Sequence, residues 1–495
     1  MNRKLIISFM LPAALAACAP AGDQSSLPAH PNELTFAESV IEIPDANEYK
    51  HEMDNGNVAF VVEDHSLPLV KIGISSHAGR YLLPTDDSGL SGITSSMLRD
   101  GGTKDLSPEE FDERLDFLAS SISASIGMTA SSASLNTITD NLDETLDLLF
   151  DMITEPRFDA ERLAIHKGRV IESMKRRNDD TRTIEPRYWN ELMRGEGFFT
   201  TLQADQAQVE AIDAARMEAV TRQALRNGNL VISVSGDVNP MEIVAKLNEQ
   251  LSRLPDAEEL PEIPDDTTPA APGLYGVSKD DVNQTRVRIG HPGPRHGHPD
   301  MFAIAVMNNI LGGGGFTSRI TSRVRSDEGL AYSAGSLFSL GRDMDGEFRA
   351  VFQSKNPSVP QAVAIVLEEI NRIRTEPVAE KEIEVAREAV IAGLNELFTN
   401  ASRRASRFAA DEFNGEDDGY WNNYETNVRS VTIEDVQRVA DTWLQPDQLR
   451  ILITGNLDEA LAGDGEHGTL EEVTGMTLKQ LQLKDPLTLE PLPLD

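Results

Sequence analysis

Two spacings of apolar residues recur along the chain. "NVAFVVEDHSLPLVKIGISS" (Asn57 to Ser76) reads as a pair of strands, and residues 121–138, 285–290 ("TRVRIG") and 346–354 ("GEFRAVFQS") alternate with the strand period of two. Other stretches carry the helical period. Ser107-Pro108-Glu109-Glu110 is a helix start, a capping box with proline at the first helical position, and "VAEKEIEVAREAVIAGLNELF" (Val378 to Phe398) has the charge and apolar spacing of a long helix. "MFAIAVMNNIL" (Met301 to Leu311) is apolar on nearly every face, which predicts a buried helix terminated by Gly312, Gly313, Gly314 and Gly315. Strands and helices come in clusters rather than in strict βαβ alternation, which predicts an α+β fold with helices layered on sheets.

The pattern also repeats. "NGNLVISVSGDV" (Asn227 to Val238) and "PDQLRILITGNL" (Pro446 to Leu457) match without a gap at an offset of 219 residues, each an apolar run ending in Gly-Asp or Gly-Asn. Upstream, Met217, Val220 and Leu225 fall on Val436, Val439 and Leu444, so an amphipathic helix precedes the strand in both copies. A tandem duplication follows. Residues 254–273, with five prolines, six acids and no periodicity, read as an extended linker between a domain at 41–253 and a domain at 274–462, with 463–495 as a C-terminal tail. A length of 495 residues, beyond what a single core of roughly 250–300 residues supports, agrees with at least two domains.

Composition narrows the partners. With 81 acids against 45 bases the formal charge is −36, a surface that repels phosphate backbones and argues against nucleic acid. It reads as a solvated acidic coat in preference to a cavity that collects cations or basic peptides. The first 18 residues have a basic start at Arg3 and Lys4, an apolar run from Leu5 to Ala17 and small residues before Cys18, which is an export signal too short to span a membrane. "LAAC" (Leu15 to Cys18) looks like a bacterial lipobox. Cleavage after Ala16 would instead leave the single cysteine of the chain as a free thiol, so lipidation of Cys18 is the preferred expectation, with residues 19–40 as a tether. That places the chain in a bacterial cell envelope, anchored to a membrane and facing the periplasm, with Ala19 favouring the outer membrane.

The glycine run is not a phosphate loop. After Gly315 comes Phe316, and no lysine follows before Lys355, so the P-loop lysine and hydroxyl are missing. The order is helix then glycines, the reverse of a dinucleotide fingerprint, and no nucleotide is expected. Four consecutive glycines do let backbone approach backbone or ligand. Arg325 stands seven residues before Tyr332 with Gly329 between them, so a helix broken at Gly329 would turn both side chains toward one site.

The segment "ILGGGGFTSRITSRVRSDEGLAYS" (Ile310 to Ser333) resembles the C-terminal-domain signature of the insulinase, or pitrilysin-type, zinc metallopeptidases, a family that includes mitochondrial processing peptidase. The resemblance spans about residues 43–461. It implies two α+β domains facing one another across a cavity. In two-subunit members one subunit carries an inverted zinc motif, His-x-x-Glu-His, with a distant glutamate as third ligand. The other carries an arginine and a tyrosine, spaced as Arg325 and Tyr332 are, that complete the site in trans. By that resemblance Gly312 to Gly315 and Phe316 line the substrate.

The zinc slot itself is filled by Gly92-Ile93-Thr94-Ser95-Ser96, and Ser173 takes the third-ligand position beside Glu172. Serine and threonine hydroxyls are poor zinc ligands, and Ser95 is no substitute for a carboxylate base, so no metal or other cofactor is expected on this chain and zinc belongs to a partner. His166, on a helix with Lys167, Arg169 and Lys175, reads as a solvated side chain, His291, His296 and His298 as part of a proline-rich turn, and His467 as uninformative. The expected function is a catalytically incomplete partner subunit that binds and positions peptide for a zinc-bearing homologue. The alternatives are a non-proteolytic polypeptide-binding or scaffolding envelope lipoprotein and, least favoured, a peptidase with unorthodox ligands.

Overall fold

Residues 121–138 fold as an antiparallel pair, β4 (Ser121–Ile126) and β5 (Ser131–Ile138), in the computed structural model of the protein, which describes residues 43–417 and 419–494. In β5 the residues Ser131, Ala133, Leu135 and Thr137 are buried, while Ser132, Ser134 and Asn136 are exposed, so the period of two in the sequence is one covered face and one wet face. The strands β1 (Lys50–Glu52), β2 (Val58–Glu63), β3 (Leu69–Ser76) and β6 (Val231–Gly236) complete a six-stranded sheet in the order β1-β2-β6-β3-β5-β4. The expected signal, Cys18 and the tether lie outside the described residues.

The second half repeats five of these strands and adds a different edge strand, the last of the chain and parallel to its neighbour. β7 (Gly273–Ser278), β8 (Gln284–Gly293), β9 (Ala331–Ser339), β10 (Gly346–Lys355), β11 (Arg450–Gly455) and β12 (Leu478–Leu481) are ordered β12-β7-β11-β8-β10-β9. The two repeat segments form β6 and β11, each parallel to the first long strand of its half and antiparallel to the second. Helices cover one face of each sheet. Leu90, Ile93 and Met97 of helix Leu90–Asp100 join Leu146 and Leu149 of helix Leu142–Thr154 over Ile72 and Ile74 of β3, and Val363 and Val366 of helix Val359–Thr375 are fully buried in the second half.

One pair of helices changes the domain picture. Helix Thr181–Arg194, from the first half, packs Ile184, Tyr188 and Trp189 against Tyr275, Val277 and Leu452 of the second sheet. Helix Ala401–Asn414, its counterpart one repeat later, packs Ala401, Ala405 and Phe408 against Phe60, Val62 and Val231 of the first sheet. Each half thus lends a helix to the other, and residues 43–495 form one compact unit. Residues 257–272 have no regular structure, and Thr268 and Ala270 donate backbone hydrogen bonds to the carbonyls of Arg194 and Leu192; Gly273, the last residue assigned to the linker, opens β7.

The reading of 463–495 as a tail is corrected. The segment forms helix Leu470–Thr474 and then β12, the sixth strand of the second sheet. It continues onto the first half, where Asn178 donates to the Lys484 carbonyl and the Lys484 ammonium bridges Glu191 and Glu196. Leu481, Leu483 and Leu487 add apolar contacts to these polar anchors, so the segment is fixed on both halves.

Candidate functional site

The apolar stretch at 301–311 begins as an α-helix, Met301–Asn308, and then widens into a π-helical turn, Asn309–Gly313, instead of stopping at the first glycine. The cause is a close crossing with β9. A Cβ on Gly312 would sit 2.4 Å from the Ser336 backbone nitrogen, so only glycine lets the turn lie against that strand. Gly315 then adopts φ +61°, which starts a sharp change of direction. Packing requires glycine at 312, 313 and 314 and backbone conformation favours it at 315, so the run forms a tightly seated turn. Gly312, Gly313, Gly315 and Phe316 still border a groove of about 380 Å³ with Arg325 and the β9 residues Ser333 to Leu337. Gly314 is not among the bordering residues; a Cβ there would meet the Asn309 carbonyl at 2.7 Å.

The three arginines that follow have separate fates. Arg319 makes a two-pronged bond to Glu382, at 2.7 and 2.8 Å, and is 9% exposed. Those bonds hold the Glu382 carboxyl below its usual range. Arg323 bridges Glu368 and Glu369. Arg325 has no carboxylate partner among the described residues. Its guanidinium lies between two rings, 4.4 Å from the centroid of Phe316 and 4.8 Å from that of Tyr332. Arg325 sits in a second π-helical turn, Ser322–Asp327, and Gly329 at φ +65° reverses the chain so that Tyr332 arrives on β9. Tyr332 is 86% exposed, so its ring and hydroxyl are open to solvent beside the groove. With both rings near it and no carboxylate partner among the described residues, the Arg325 guanidinium keeps N–H donors for a carbonyl or a carboxylate.

A residue the sequence reading missed also borders this groove. Arg349 on β10 pairs with Glu347, and both belong to a patch with Arg286 and Arg288 of β8 around Glu185, which helix Thr181–Arg194 brings over the sheet. Burial pushes the Glu185 carboxyl up, against the opposing pull of Arg288 and Arg286. Arg349 occupies a polar position of the alternating run at 346–354, and that alternation was the available signal.

The zinc slot lies on helix Leu90–Asp100. The Thr94, Ser95 and Ser96 hydroxyls donate to the carbonyls of Leu90, Ser91 and Gly92, and Ser95 Oγ also accepts the Ile126 backbone N–H of β4 at 2.9 Å. Gly92 offers no side chain, and Ser173 is exposed on helix Ala160–Lys175 beside Glu172, which is bound to Lys175 and Arg176. Hydroxyls committed to the backbone do not fit zinc, and among the described residues no three His, Cys, Asp or Glu side chains converge on a point. His166 is not solvated as expected. Its ring is 14% exposed and meets Asp100, the last residue of the slot helix, at 2.9 Å.

The other histidines diverge. His291 is buried within β8, which runs on to Gly293, so the expected turn begins only after it, and its ring accepts the Gln445 backbone N–H. His296 meets Glu416, His298 lies edge-on to Trp443, and His467 pairs with Asp464.

Comparison with known proteins agrees with this geometry. Residues 211–390 match the family described as Peptidase M16 inactive domain. An uncharacterized zinc protease of Mycobacterium tuberculosis is 26% identical over 306 residues, covering 61% of this chain and 69% of the relative. A non-peptidase homolog of Helicobacter pylori is 24% identical over 325 residues, covering 63% and 73%. The solved structure of a peptidase M16 inactive domain from Pseudomonas fluorescens superposes with a TM-score of 0.74 at 20% identity, covering 82% of this chain and 98% of that one.

Proposed function

We propose that this chain, similar to the M16, or insulinase-type, peptidases, is the non-catalytic subunit of a zinc peptidase pair, holding peptide for a zinc-bearing homologue. The observation that carries the reading is the division of labour among Arg319, Arg323 and Arg325. Two are tied to carboxylates, while the third is held between Phe316 and Tyr332 with its donors uncommitted. Meanwhile the slot at Gly92, Ser95 and Ser96 holds only hydroxyls bound to backbone. Peptide holding without hydrolysis is what such a pair of sites can do: the Arg325 guanidinium and Tyr332 hydroxyl donate to a peptide carbonyl and stabilise charge that develops on it. Water activation by zinc belongs to the partner.

The test mixes the purified chain with a homologue from the same source that keeps His-x-x-Glu-His. Peptide cleavage by the mixture should exceed that of the homologue alone, and Arg325→Ala should abolish the gain. A mixture no better than the homologue alone, or unaffected by Arg325→Ala, overturns the proposal. The proposal also includes anchoring of the chain to a bacterial envelope membrane through lipidated Cys18, with the outer membrane favoured.

A further inference from the structure

One groove on each sheet is lined by basic but no acidic side chains, against the charge of the molecule. On the first sheet, a groove of about 320 Å³ is lined by serines of β4, β5, β6 and helix Ala401–Asn414, and Lys71 is its only charged residue. On the second, the groove of about 380 Å³ beside the glycine run has Arg325 and Arg349 as its charged residues. Neither lining contains an Asp or Glu, in a chain where acids outnumber bases 81 to 45. The acidic surplus is therefore kept off the surfaces best placed to meet a peptide.

The second groove has more than an absence of acids. Arg325 is oriented by Phe316 and Tyr332 and has no carboxylate partner among the described residues. Arg349 spends one nitrogen on Glu347, which leaves further N–H donors on its fork. Behind it Arg286 and Arg288 share Glu185, so four arginines on and beside this sheet face are answered by two carboxylates, Glu185 and Glu347. Serine hydroxyls on β9 and the exposed Leu337 supply neutral lining. A groove with two forked cations and no anion is complementary to a carboxylate carried on a peptide, and it disfavours a lysine or arginine side chain.

We infer that the groove beside Gly312 selects acidic peptide segments, with an Asp or Glu side chain of the peptide paired to Arg349 while Arg325 and Tyr332 engage the neighbouring backbone. This rests on the peptide-holding reading above and adds a substrate class to it. The net charge of −36 then has a consistent role, since it repels acidic chains everywhere except at the grooves.

The experiment is fluorescence polarisation of the full chain with three labelled short peptides that differ only in carrying Glu, Gln or Lys at two central positions. The Glu peptide should bind about tenfold more tightly than the Gln peptide, and the Lys peptide more weakly than either. Arg349→Gln should bring the Glu peptide to the affinity of the Gln peptide, while Arg349→Lys, which keeps the charge, retains part of the preference. Equal binding of the Glu and Gln peptides, or a preference for Lys, overturns the charge selection and leaves peptide holding intact. Failure of all three peptides to bind overturns both.

Discussion

Phe408→Ala tests the exchange of helices. Phe408 belongs to helix Ala401–Asn414 of the second half yet is 3% exposed against the first sheet, with its ring 5.6 Å from Tyr49, 6.1 Å from Phe60 and 5.9 Å from Phe398. Truncating a phenylalanine in such a site costs about 4 kcal/mol, the lost transfer energy plus the cavity. The shift in melting temperature depends on how much of the chain unfolds together. At about 2.1 cal/mol/K per residue, a unit of roughly 450 residues has an unfolding entropy of about 0.9 kcal/mol/K, so the midpoint falls by about 4 °C. Were the halves independent, the roughly 220 residues of one half would melt alone and the same cost would move that transition by about 9 °C. Differential scanning calorimetry of wild type and variant separates the cases. One peak displaced by about 4 °C is expected. Two peaks, or one of two moving by about twice as much while the other stays, would refute the idea that the exchanged helices make one cooperative unit.

Three further outcomes are expected. Glu382→Gln should cost about 2 kcal/mol at neutral pH by loosening the fork from nearly buried Arg319. Because the folded carboxyl titrates below its usual range, its stabilisation is complete above the ordinary carboxyl value and is lost as pH falls through the lower folded one, so denaturation curves of wild type and variant should converge in acid. Restoring the slot with Gly92→His, Ser95→Glu and Ser96→His should leave purified protein with less than about one zinc per ten chains by metal analysis, because exposed Ser173 still supplies no third ligand; adding Ser173→Glu should raise occupancy toward about one per chain. Stoichiometric zinc in the triple variant would show that Glu172 already serves. Cys18→Ser should move the protein from the detergent phase to the aqueous phase on phase separation, and retention in the detergent phase would contradict lipidation.

What the sequence disclosed depends on how local each signal was. The duplication was legible because β6 and β11, with the helices before them, keep one offset and one apolar pattern, and five strands of each sheet follow in the same order. The alternation at 121–138 was legible as strand, and in β5 that period separates a buried from an exposed face. The spacing of Arg325 and Tyr332 was equally readable, since a single reversal at Gly329 joins them. Long-range choices were not readable. The apolar stripe of helix Thr181–Arg194 announces that Tyr188 and Trp189 need cover, but period 3.6 is blind to which sheet supplies it, and the answer is the sheet of the other half. The same blindness hid β12, whose four residues gain their strand only by lying beside β7.

The glycine run shows how function and packing can share residues. Gly312 must be glycine because β9 lies against it, and that seated turn leads into Phe316, whose ring lies 4.4 Å from the Arg325 guanidinium while Tyr332 of β9 lies 4.8 Å from it. A residue with a Cβ at 312 would push the turn from the strand and separate the two rings, so loss of peptide binding and loss of stability would arrive together there. At Arg325 they come apart. The guanidinium ties no carboxylate among the described residues, so Arg325→Ala should lose binding with little change in melting temperature, whereas Arg319→Ala, which strands Glu382, should lower it. That contrast within one short run distinguishes an arginine kept for a ligand from one kept for the fold.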